Sequence, residues 1–230
     1  QLLESLDDNK IKNQSDYKDI DFIDAYFEAK KLHELATNTL QDVLDIIENN
    51  QPIQLLATKR VIEQILLNIE QSPQAMLFVI NVRDKSRYLI EHSIAVTVLI
   101  AVFGYFHNTE KERLKEQMLA ALLHDVGDTL VDKAIIDKST KLTPDEYQQV
   151  QRHVKFSLKL LKGLVPKTSY QMIAEHHEKL DGSGYPKGMS REDIYDDTRA
   201  ITEPAGACAL AGLKKYIERE NAQGQRLVAI

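Results

Sequence analysis

The sequence predicts an all-α protein, a helical bundle preceded by an N-terminal helical segment. Apolar residues return every three or four positions through most of the chain, the spacing that gives an α-helix one buried face. Proline, glycine and one complete capping sequence stand where those patterns start and stop. A third observation concerns chemistry. Of seven histidines, five fall at core-facing or core-edge positions of these helices, and an aspartate accompanies them.

Composition narrows the function classes. A chain of 230 residues suits one large domain, or one domain after a smaller segment, and the pattern divides it at 1–84 and 85–230. With 43% apolar and 28% charged residues it can bury a substantial core. A net charge of −6 argues against holding long nucleic acids by bulk electrostatics, while a small anion stays compatible if a metal dominates the local field. The single Cys208 excludes an internal disulfide framework and suits a reducing compartment. The longest apolar run, Ile94–Phe106, has 13 residues. A membrane span needs roughly 20, so a core helix and no membrane span are expected. No signal peptide is evident. The chain opens on Gln1 and not Met, which reads as a piece of a longer protein.

In chain order, the first helix is expected over Asp21–Asn49, with Phe22, Ala25, Tyr26, Ala29, Leu32, Leu35, Ala36, Leu40, Val43, Ile46 and Ile47 on its apolar side. Pro52 breaks it. A second follows through Val61, Ile65, Leu66 and Ile69 and ends at Pro73. His33 reads as an ordinary, partly exposed residue. This segment suits the end of an input domain, a dimerisation pair, or packing for the later helices. The next helix, from about Ser86 to Phe106, carries His92 one turn before its apolar stretch, and a satisfied core histidine is the simplest reading of it taken alone.

The helix from about Glu110 to Asp125 puts Leu114, Met118, Ala121 and Leu122 on one face and finishes L-L-H-D-V-G. A buried Asp125 beside a buried His124 is costly unless both are paired or hold a metal, and here the metal reading prevails. Thr143-Pro144-Asp145-Glu146 then opens another helix with a capping box. Its apolar side runs Tyr147, Val150, Val154, Leu158, Leu161, with His153 beside it. The following helix holds Ile173 and so places His176 and His177 on or near its inner side. A turn of Asp181, Gly182, Gly184 and Pro186 closes the stretch. Only His33 and His107 stand apart from this concentration.

The order His92, His124-Asp125-x-Gly127, His153, then His176-His177-Glu178 followed by Asp181-Gly182-x-Gly184-Tyr185-Pro186, resembles the HD-GYP branch of the HD-domain phosphohydrolases. The likeness covers about Arg87 to Thr202. It implies an HD-domain helical bundle with two or three divalent metal ions, hydrolysing a cyclic dinucleotide such as cyclic di-GMP or a cyclic GMP–AMP. By this resemblance His92, His124, Asp125, His153, His176 and His177 match metal ligands. Candidate catalytic residues are Asp125, His124 and Asp128. Tyr185, Gly184, Pro186 and Asp181 match the loop tied to the substrate. A cytoplasmic bacterial signalling role is implied, with a homodimer and signalling partner proteins among the expected associations.

The chemistry is consistent with that likeness. Two metals about 3.5–4 Å apart share a hydroxide, lower its pKa and hold a phosphate oxygen. Asp125, with two oxygens, is the natural bridge, and a mixed nitrogen and oxygen set suits iron or manganese. Glu178 and Asp181 either orient ligating histidines or serve helix-end solvation and turn formation.

Two departures from the family pattern stand out. Asp128 occupies the position where the family has a lysine able to neutralise phosphate. After Arg199-Ala200-Ile201-Thr202 the family continues into a helix with a metal-binding aspartate, whereas ungapped alignment puts Ala205 and Cys208 at its two acidic positions. A loop and the start of a helix read as missing between Thr202 and Glu203, and Glu203 is a weak substitute. Hydrolysis of a cyclic dinucleotide is the favoured reading. The alternative is a degenerate module that binds metal or nucleotide without turnover.

Overall fold

Apolar spacing in the sequence becomes a bundle wrapped around one long apolar helix. The computed structural model of the chain describes residues 22–81, 87–179 and 181–189. Among these residues are nine α-helices and one 3-10 helix, with no β-strand. The first, α1 (Phe22–Glu48), buries Ala25, Ala29, Leu32, Ala36, Leu40, Val43 and Ile47, one residue per turn on the expected face. Phe22 and Leu35 belong to the predicted stripe but lie at its margin and are exposed. Phe22 meets the edge of Phe78 instead, at 6.2 Å between ring centroids.

Next, α2 (Leu56–Gln71) buries Val61, Ile65, Leu66 and Ile69. Pro73 does more than end it. It opens a short further helix, α3 (Pro73–Val79), which the apolar spacing does not separate. Proline suits the first helical position because its missing N–H would have no intrahelical partner there.

The central helix, α4 (Tyr88–Phe106), is longer than the apolar run suggested. By length and composition alone, with a mean hydropathy of 1.8, it could cross a membrane. Yet Ile90, Ile94, Val98 and Ala101 are buried, and α1, α2, α3 and α5 pack around it. The arrangement is that of a core helix. Its buried Glu91 is answered by His33 of α1, whose Nε2 lies 3.1 Å from Glu91 Oε2. His33 is partly exposed, as expected, but it is not ordinary, because it partners a buried carboxylate.

After α5 (Lys111–Leu123) come the 3-10 helix (Val126–Leu130), α6 (Lys133–Ile136), α7 (Pro144–Val150), α8 (His153–Leu161) and α9 (Lys167–Glu175). Glu110 caps α5 by accepting the N–H groups of Glu112 and Arg113. The capping box forms as expected: Thr143 Oγ1 accepts the Glu146 N–H, and Glu146 accepts that of Thr143.

The single helix expected from there to Leu161 is two, broken at Gln151 and Arg152. The break turns α7 outward, so that none of its residues is buried and Tyr147 is 49% exposed rather than inward-facing. One hydrophobic core runs from Ala25 of α1 to Ile173 of α9. The Thr202–Glu203 junction, Ala205 and Cys208 lie outside the described residues.

Candidate metal centre

The last carbonyls of a helix have no N–H within it to accept from. Three histidines here answer that shortage. His124 Nδ1–H donates to the Ala121 carbonyl at the end of α5, His153 Nδ1–H to Val150 at the end of α7, and His176 Nδ1–H to Ile173 at the end of α9, each at 2.8 Å. With the proton fixed on Nδ1, the Nε2 lone pair of each ring is left for the interior. All three Nε2 atoms converge on Asp125, which follows His124 directly.

His124 Nε2 lies 2.8 Å from Asp125 Oδ2. His153 Nε2 and His176 Nε2 each lie 3.3 Å from Oδ1. His153 Nε2 is also 3.2 Å from the Nε2 atoms of both His176 and His177. His92, from the first turns of α4, sets its ring 5.4 Å from that of His124. Two groups able to hold a cation result, Asp125 with His153, His176 and His177, and His92 with His124 and Asp125. Asp125 belongs to both.

Metal fits this donor set. Asp125 Oδ1 is buried without a hydrogen-bond donor, because its nearest neighbours present lone pairs and not N–H groups. Imidazole lone pairs this close repel one another unless a cation sits among them.

The electrostatics follow from burial and from Asp125. In the metal-free chain burial alone would raise the Asp125 carboxyl, but a second proton taken up by His124, and those that His153 and His176 can share with it, hold it well below the ordinary range. For His124 and His153 burial pulls the other way, and Asp125 outweighs it to raise both rings. Burial dominates at His176, which is lowered. His177 is pushed down to about 3 by burial and by His176 and His153 beside it. A ring that resists protonation keeps a lone pair for a metal.

The supports around the centre are less visible in sequence. Ser157 Oγ donates to the His124 carbonyl and accepts the Gly127 N–H, both at 2.8 Å, tying the 3-10 helix to α8. Gly127 sits against α8, where an added Cβ would lie 2.2 Å from the His153 carbonyl oxygen. Buried Glu178 does not orient a histidine. Its two oxygens accept the backbone N–H groups of Lys187 and Met189, at 2.6 and 2.8 Å, and clasp the glycine-rich loop. Asp181 accepts from Ser183 N–H and Oγ–H and sets the turn.

Gly182 takes φ of 76°, as a turn glycine can, whereas Gly184 serves close packing, 2.4 Å from its would-be Cβ to Lys179 N. Pro186 follows a cis peptide bond, and the Tyr185 ring stacks on His177 at 4.4 Å. Asp128 also faces the centre. Its Oδ1 is buried and lies 3.7 Å from His153 Nδ1, and burial raises its carboxyl to about 6.

Comparison with known proteins agrees with this architecture. A family model described as HD domain matches residues 78–201, more than half of the chain. The chain is 40% identical over 136 residues to 3'3'-cGAMP-specific phosphodiesterase 3 of Vibrio cholerae, covering 57% of this chain and 29% of that protein. It is 30% identical over 146 residues to a cyclic di-GMP phosphodiesterase of Pseudomonas aeruginosa, covering 63% and 35%. It thus spans about a third of the length of these curated relatives. A solved structure, Bd1817, an HDG"Y"P protein from Bdellovibrio bacteriovorus, shares the fold with a TM-score of 0.67 at 18% identity, over 92% of this chain and 72% of that one. The chain belongs to the HD-domain family, in whose HD-GYP branch its sequence resemblance lies.

Proposed function

We propose that this chain hydrolyses a cyclic dinucleotide second messenger, cyclic di-GMP or cyclic GMP–AMP, to a linear product and so lowers the messenger in bacterial signalling. The observation that carries this reading is Asp125 shared between two ligand groups. The names of the two relatives support the substrate class.

When bound, two or three divalent ions, iron or manganese, supply Lewis acidity and a nucleophile at neutral pH. His92, His124 and Asp125 would hold one ion, and Asp125, His153, His176 and His177 another. The chain's own part is to keep Asp125 ionised, to lock three rings by their Nδ1–H bonds, and to hold Tyr185 over His177 through the Glu178 clasp. Gly184 and Pro186 place Tyr185, and Asp181 shapes the turn. In this reading 85–230 is the catalytic unit and 1–84 the N-terminal segment, which is helical over most of its described residues, 22–81.

A second reading, a module that binds without turnover, is favoured by one observation. Asp128 sets a carboxylate toward the centre, where it repels a phosphodiester.

The test is incubation of the chain with cyclic di-GMP or 3'3'-cGAMP in ferrous iron or manganese, resolving products by chromatography. Linear product that disappears with His124→Ala and with Asp125→Ala supports hydrolysis. Binding of nucleotide without product selects the second reading.

A further inference from the structure

Beside the metal centre lies a second feature that the ligand set does not use. A cleft of about 410 Å³ opens between the α7–α8 junction and the glycine-rich loop, lined by Gln148, Gln151, Arg152, Lys155, Tyr185 and Pro186 among others. Its volume falls in the lower part of the roughly 300–1,000 Å³ that small-molecule sites occupy, a size for one nucleotide unit rather than two.

Tyr185 is the wall shared with the metal centre. One face of its ring stacks on His177, and the residue also lines the cleft. Tyr147 approaches it edge-on, at 6.4 Å, and is itself half exposed. His153 turns inward from α8, whereas Arg152 and Lys155, three apart and so on one face, turn outward into the cleft. Among the described residues no carboxylate engages either cation. Lys187, the other cation of this loop, is held by Glu175 at 2.9 Å. The Arg152 guanidinium is steadied over the Phe156 ring, 5.8 Å from its centroid.

Two cations that no carboxylate engages among the described residues, amide side chains and an aromatic wall together make a site for a nucleotide: phosphate on the cations, base edge on the amides. A cyclic dinucleotide carries two phosphodiesters, of which one at a time can be attacked. We infer that this cleft takes the half of the cyclic dinucleotide that is not being cleaved, with Arg152 and Lys155 on its phosphate and Gln148 and Gln151 toward its base. The inference rests on the proposed hydrolysis for the identity of the ligand. The site explains how a chain with a carboxylate at Asp128 still draws in an anionic substrate.

The test compares a cyclic dinucleotide with bis(4-nitrophenyl) phosphate, which has one phosphodiester and no second half, using the metal-loaded chain. The Arg152→Gln/Lys155→Gln variant should lower the ratio of kcat/KM for cyclic dinucleotide to that for the small diester at least tenfold, through KM. A parallel fall with both substrates, or an unchanged ratio, would overturn the cleft assignment while leaving hydrolysis standing. Equilibrium affinity for the cyclic dinucleotide is measured alongside, with thermal melting to confirm folding. If the wild-type chain turns over neither substrate, hydrolysis fails, and the cleft is then judged by affinity. Binding weakened tenfold in the variant supports it, and binding unchanged or absent from the wild type overturns it.

Discussion

His124, His153 and His176 each use one ring nitrogen on a helix-end carbonyl and turn the other toward Asp125. Residue identity was legible here, because histidine and aspartate at core positions are costly without a purpose and few side chains offer these donors. What each neighbour does was not. Glu178 reads equally well as a solvated helix end, and only the fold brings Lys187 N and Met189 N to it from nine and eleven residues away. Glu178→Ala leaves the buried Met189 N–H and the part-buried Lys187 N–H unpaired and should cost about 1–3 kcal/mol, read as a lower denaturation midpoint, with Glu178→Gln losing less.

Asp128 gives a pH signature in chelated, metal-free protein. Its carboxyl rises from 3.8 to about 6 on folding. Below 3.8 both states are protonated and folding carries no penalty. As pH rises through 6 the folded state must ionise a buried acid that the unfolded chain ionises freely, and stability falls. Asp128→Asn should therefore stabilise the metal-free chain at pH 7 by roughly 1–3 kcal/mol, a gain that disappears near pH 4 in denaturation curves taken across that range.

Among elements, the helix ends carry the site, and helix ends are where sequence is least explicit. Periodicity and the capping box place α1, α2, α4, α5 and the start of α7. The break between α7 and α8 has neither proline nor glycine at Gln151 and Arg152, so the pattern runs through it unmarked. That break frees the Val150 carbonyl for His153, and it turns Tyr147 outward toward Tyr185. Contact between the 3-10 helix and α8 depends on Gly127. Gly127→Ala drives a methyl into the His153 carbonyl and Ser157 N, and neither backbone group can yield cheaply. We expect a loss of about 1–3 kcal/mol with reduced metal content, measured by melting and elemental analysis. Ser157→Ala removes two hydrogen bonds from the same joint and should act in the same direction, without the steric clash.

At the scale of the whole molecule, α1 joins the core of the metal-bearing helices rather than standing off from it. Its His33 reaches Glu91, the neighbour of His92, across 58 residues of sequence. No local pattern announces such a pair, since each partner alone resembles a surface residue. His33→Ala leaves Glu91 buried without its partner and should cost about 1–3 kcal/mol, seen in denaturant unfolding.

The central claim is that one aspartate serves two metal positions, and counting metal ions per chain tests it most directly. After loading with manganese or ferrous iron and removal of free metal, elemental analysis should find at least about two ions per wild-type chain, falling toward none in Asp125→Ala. A wild-type chain that retains one ion or none, or an Asp125→Ala chain that retains the full complement, would contradict the account.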